Sequence, residues 1–124
     1  MRLCAMFAGV ALLALPLAAS AAVDPVVGTT AILGKGADGV PCAQTRQKLR
    51  AAYDASEKHD DEGVQEALAG GTLLKRGERV LVIDNATGSG IMEGIDVRIR
   101  ILSGADAHLA CWAWQNELHL QPAR

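Results

Sequence analysis

Apolar and polar positions change rhythm along this chain, and each rhythm predicts a different element. Residues 3–17 are apolar without period, broken only by Gly9 and Pro16. From Val23 to Val40 the chain is punctuated by Gly28, Gly34, Gly36 and Gly39, so it reads as an extended arm with room for a short strand over 29–33. Pro41 then stands where a first helical turn tolerates proline, ahead of good helix formers. In that stretch Cys42, Leu49, Ala52 and Tyr53 fall on one side, while Arg46, Lys48, Arg50 and Glu57 reach water. Asp60 is a fitting N-cap for a second helix, with Asp61 and Glu62 at its positive end, Val64, Ala67 and Leu68 as its buried stripe, and Gly70-Gly71 as its stop. A helical hairpin over 41–71 is expected.

After Gly71 the period becomes two. A strand is expected over 79–84, following a turn over 75–78 and followed by a flexible loop over 85–90. Residues 96–101 alternate strictly, with Val97, Ile99 and Ile101 inward and Arg98 and Arg100 outward. A turn over 103–106 leads to another strand over 107–114 and a last short element over 116–120. Short strands separated by turns suggest a small antiparallel barrel over 72–124. The expected fold class is thus α+β, mainly β, with 41–124 as one compact unit carrying its helices at the N-terminal end.

The first 22 residues change the picture of where the protein works. Arg2 gives a positive start, the apolar run follows, and Ala18-Ala19-Ser20-Ala21-Ala22 is a small-residue end. That is the pattern of a secretory signal peptide, cut after Ala21 or Ala22. The competing reading, a membrane anchor, calls for roughly 20 apolar residues and usually lacks the small-residue end. No cysteine follows the run for lipid attachment. An exported chain of bacterial type is expected, periplasmic or extracellular, with no membrane span left after cleavage.

Removing the leader removes Arg2, leaving 11 of the 12 basic residues against 14 acidic ones, a net charge of −3. A mildly acidic chain without a basic run has no long-range attraction for phosphate backbones, so nucleic acid is not an expected partner. Cys4 also leaves, and Cys42 and Cys111 remain. In an exported chain such a pair favours a disulfide. The alternative is a reactive thiol at Cys42, activated by a helix start beside Pro41, although no CxxC pair or nearby histidine supports it.

In the C-terminal half, Leu74-Lys75-Arg76-Gly77-Glu78-Arg79-Val80-Leu81-Val82-Ile83 runs as a leucine, a turn glycine and a valine-rich strand, and in this it resembles the opening of bacterial Src-homology-3-like domains. Val97-Arg98-Ile99 followed by Leu102-Ser103-Gly104 resembles their second core strand and hairpin turn. Cys111-Trp112-Ala113 and Leu118 stand where the family usually has glycine-tryptophan-valine and a closing leucine. The likeness covers residues 72–121 and departs at Cys111, where a side chain replaces glycine. It implies a binding or scaffolding module, often directed at cell-wall material or proteins, and supplies no catalytic set. Proline-rich ligands need a groove of several aromatic rings. Tyr53, Trp112 and Trp114 are too few for one.

Candidate chemistry is sparse. Gly34-Lys35-Gly36-Ala37-Asp38-Gly39 matches the dinucleotide fingerprint in letters, but that motif belongs in a parallel sheet, so a glycine loop is the simpler account. His108 and Cys111 are three apart and would face opposite sides of a strand, so with His119 they make a poor metal set. His59 with Asp60, Asp61 and Glu62 reads as a solvated, capped helix start rather than a cation site. Trp112 and Trp114 share one strand face and either pack beneath the helices or form an exposed stacking platform. Arg98 and Arg100 on a neighbouring face add the capacity to hold a carboxylate. These four residues are the expected ligand contacts, with no catalytic residue, metal or cofactor. The expected function is non-catalytic binding in the bacterial envelope, to cell-wall material or an envelope protein. A small secreted inhibitor or immunity-type protein is the second reading and an enzyme the third.

Overall fold

The computed structural model describes residues 23–87 and 95–123. The expected leader over 1–22 and residues 88–90 of the expected loop lie outside them. Among the described residues eleven elements follow in order. They are β1 (Thr30–Ile32), a 3-10 turn (Lys35–Ala37), β2 (Pro41–Cys42), α1 (Arg46–Glu57), α2 (Asp61–Leu68), β3 (Thr72–Leu73), β4 (Arg79–Thr87), β5 (Ile95–Ile101), β6 (Ala110–Trp114), α3 (Gln115–Leu118) and β7 (Gln121–Pro122).

Five strands form one antiparallel sheet in the order β6-β5-β4-β1-β7, and β2 pairs separately with β3. The fold is α+β with a mainly antiparallel sheet, as expected, but the sheet does not close into a barrel. Both of its edges are engaged or blunted. The outer edge of β6 bonds to Ala43, whose N–H donates to the Trp112 carbonyl while Trp112 N–H donates back, both at 2.7 Å. At the other edge β7 is two residues long and ends in Pro122, which has no N–H to offer a further strand.

Period-two residues of three strands make the core. Val80 and Val82 of β4, Val97, Ile99 and Ile101 of β5, and Cys111 and Ala113 of β6 face inward and are almost wholly buried. A register shift between Val82 and Asp84 inserts one extra residue in β4, and the strand runs on to Thr87, so Asn85 to Thr87 lie in a strand rather than in the expected loop. The segment expected as an arm outside the compact unit is part of it. Ala31, Leu33 and Ala37 are buried in the same core, and β1 lies between β4 and β7. Ala31 is paired with Val80 of β4 in the sheet ladder, and both are fully buried.

The first helix starts later than its pattern suggests. Pro41 and Cys42 are in β2, not in a first helical turn, because Thr45 is the residue whose hydroxyl accepts from the Lys48 N–H and caps α1. Cys42 is therefore no helix-start thiol. Its sulfur is bonded to Cys111, tying β2 to β6 across 69 positions of sequence. Asp60 caps α2 as expected, accepting from Gly63 N–H at 3.0 Å. α1 and α2 pack on each other and are inserted between β2 and β3. Leu49 and Ala52 are the residues α1 buries. Among the described residues no helix is long and apolar enough to cross a membrane.

Candidate functional site

The register of β5 against β6 decides which side chains meet. Arg98 is opposite Trp112, Arg100 opposite Ala110, and Asp96 opposite Trp114, all on the face away from Val97, Ile99 and Cys111. The four residues expected as ligand contacts thus share one sheet face, and each is half-buried. Arg98 and Trp112 are direct cross-strand neighbours. Arg100 Nη1 donates to the His108 carbonyl at 3.3 Å, which steadies its guanidinium at the strand end.

The helices cover part of that face. Asp96, read from alternation as an outward position, is fully buried because α1 crosses above it. Arg46 Nε donates to Asp96 Oδ2 at 2.7 Å, and Arg50 Nη1 lies 3.3 Å from the same oxygen. Withdrawing a carboxylate from water costs several kcal/mol. Two guanidiniums that still reach solvent offset this, at 38% and 23% side-chain exposure. Trp114 lies beside this clamp. Tyr53 of α1 meets its ring edge-on, with centroids 5.3 Å apart and planes at 73°. The two tryptophans therefore take different roles: Trp114 packs against α1, while Trp112 stands next to Arg98.

A cleft of about 170 Å³ opens where α1, α2 and β6 meet. Leu49, Tyr53, Val64, Leu68 and Trp114 supply its hydrocarbon walls, with Ser56 and Glu117 among its lining. Burial raises the Glu117 carboxyl above the usual carboxylate range, while nearby His119 pulls it down less strongly. Among the described residues, Asp96 Oδ1, Arg98 Nε, Trp114 Nε1 and Glu78 Oε1 are buried side-chain atoms without a hydrogen-bond partner. The first three belong to this one face of β5 and β6.

Elsewhere the candidate chemistry is put to structural use. Gly34 and Gly36 are glycines because α3's end lies against them: a Cβ at 34 would collide with the His119 carbonyl, and one at 36 with the His119 ring. That close approach accounts for the fingerprint-like letters. His59, His108 and His119 all adopt positive φ, at 57°, 78° and 46°, the first two in turns and the third as the C-cap of α3. Cys111 is bonded to Cys42 and so cannot join His108 and His119 as a thiolate. Among the described residues no group of three or more histidine, cysteine or acidic side chains is placed to hold a metal ion.

Sequence reasoning missed the cleft and the clamp. The clamp left a trace, Arg46 and Arg50 one helical turn apart on one face of a helix. The cleft left none, since its walls come from separate elements that each carry ordinary apolar residues. No protein-family model matches this chain, and no curated protein or solved structure matches it either.

Proposed function

We propose that the mature chain is an exported, non-catalytic binding module of the bacterial envelope, built as a small Src-homology-3-like domain with a helical hairpin set into it. The contact surface is the Arg98, Arg100 and Trp112 face, and its ligand is cell-wall material or an envelope protein that presents a carboxylate beside a stackable group. The observation that carries this reading is the cross-strand adjacency of Arg98 and Trp112, half-buried on one sheet face. A planar guanidinium next to an indole suits a carboxylate attached to an apolar or sugar ring. The disulfide supports it further, because Cys111 adjoins Trp112 and holds β6 to β2. The Src-homology-3-like reading is supported by the antiparallel run β4-β5-β6 within 72–121 and by the helical turn α3 leading into β7.

Titration of the oxidised mature protein with soluble disaccharide–peptide fragments of peptidoglycan, followed by tryptophan fluorescence, tests the proposal. Saturable binding is expected, weakened about tenfold by Trp112→Ala and by Arg98→Ala, as for a side chain worth about 1.4 kcal/mol of contact. Absence of binding, or binding indifferent to both substitutions, sinks the cell-wall reading. Capture of one envelope protein at nanomolar affinity through the same residues would favour the inhibitor-type alternative.

A further inference from the structure

Trp112 is one of two neighbours that the sheet ladder gives Arg98. On the other side β4 sets Asp84 opposite it, and Asp84 is exposed. The register shift between Val82 and Asp84 creates this neighbour. In an unbroken ladder, continued from Val82 opposite Ile99, Ile83 would face Arg98 and Asp84 would come opposite the buried Val97. The extra residue instead turns the carboxylate onto the arginine-bearing face, a re-aiming that bulges commonly perform beside functional sites. Asp84, Arg98 and Trp112 therefore form one row across β4, β5 and β6.

A surface ion pair would be the simpler use of that row. Yet among the described residues neither Asp84 nor Arg98 forms one. Asp84 Oδ1 accepts from the Asn85 N–H at 2.8 Å instead. Cβ atoms of directly opposed residues stand about 4.5–5.5 Å apart. Opposite charges held at that spacing match a ligand that carries both signs on neighbouring groups. A ligand with a carboxylate alone is attracted by Arg98 and repelled by Asp84, so the row selects against it. An ammonium group beside the carboxylate satisfies both residues.

We propose that Asp84 sets the specificity of this face for a zwitterion, an ammonium group beside a carboxylate as at the head of an amino acid. The ammonium meets Asp84, the carboxylate meets Arg98, and the adjoining part of the ligand lies over Trp112. This inference rests on the envelope-binding reading, because it uses the same face.

The test takes soluble disaccharide–peptide fragments of peptidoglycan whose peptide carries a free ammonium beside a carboxylate. These and the same fragments after N-acetylation are titrated into the oxidised mature protein and into its Asp84→Asn variant. Asparagine keeps the oxygen that accepts from Asn85, so the bulge is left in place. Acetylation is expected to weaken binding to the unsubstituted protein about tenfold, as for the loss of one charge-assisted hydrogen bond. Asp84→Asn should weaken binding of the untreated fragment by a similar factor. The variant should then bind both fragments alike, because the group that told them apart is gone. The inference is overturned if the unsubstituted protein binds both fragments equally, if Asp84→Asn leaves binding of the untreated fragment unchanged or tightens it, or if acetylation costs the variant as much. In those cases binding that still depends on Arg98 and Trp112 leaves the envelope reading standing. If neither fragment binds the unsubstituted protein, both fall together.

Discussion

A carboxyl group in apolar surroundings makes stability depend on pH, and Glu117 is placed to do so. Burial raises its pKa in the folded state above that of the unfolded chain, so the folded protein holds this proton to higher pH. The sign follows. Below the ordinary carboxylate range both states are protonated and Glu117 costs nothing. As pH rises through the window between unfolded and folded values, the folded state loses ground, and the penalty is complete above the folded value. Glu117→Gln should therefore raise the melting temperature at pH 7, with the gain shrinking to nothing towards pH 4. A gain that is constant across that range would show that Glu117 is not desolvated. The contrast with Asp96 is instructive. That carboxylate is more deeply buried, yet two arginines of α1 hold it, so its burial serves to fix the helix on the sheet. Neither residue announces this in the sequence. Glu117 lies in a polar-looking stretch, and Asp96 alternates like a solvent-facing position.

Among elements, the contact between α3 and the 3-10 turn Lys35–Ala37 sets which glycines are indispensable. At Gly34 an added Cβ meets the His119 carbonyl, which cannot move without displacing the backbone that leads into β7. At Gly36 it meets the His119 ring, which can turn away. Overpacking of this kind costs about 1–3 kcal/mol. Gly34→Ala is expected at the upper end of that range and Gly36→Ala at the lower. Adding His119→Ala should rescue Gly36→Ala and leave Gly34→Ala as unstable as before. Urea denaturation of the four variants checks this, and equal rescue of both would refute the assigned contacts. The elements themselves were legible to different degrees. Asp60 and Gly70-Gly71 marked the bounds of α2 because a cap and a stop are local signals. The start of α1 is not legible in the sequence, because Pro41 suits an extended strand as well as a helical first turn, and the pairing of β2 with β3 decides between them.

For the whole molecule, one covalent link joins parts that the chain separates widely. The Cys42–Cys111 bridge spans 69 positions, and closing a loop of that size stabilises a small domain by roughly 4 kcal/mol in the chain-entropy model. Stability of such domains is commonly about 5–15 kcal/mol, so a large share rests on this bond. Reduction, or replacement of both cysteines by serine, should lower the urea midpoint by an amount equivalent to about 4 kcal/mol. A loss below about 1 kcal/mol would mean that the unfolded chain is already confined without it. The bridge also links the helical insertion at β2 to the strand that carries Trp112 and Trp114, so the cleft and the arginine-bearing face depend on the same tie.

The sequence by itself determined what is local. Alternation in 96–101 fixed which side chains of β5 enter the core and the caps fixed α2, while the two cysteines beyond the apolar run over 3–17 pointed to their pairing by number alone. Side-chain period and capping act within a few residues, so they can be read along the chain. Tertiary structure alone decided what needs distant segments to meet. It placed β1 between β4 and β7, left the sheet open by giving the β6 edge to Ala43, and laid α1 across Asp96 and Trp114. The cleft exists only because those placements leave a space between them, and no residue in its walls carries that information alone.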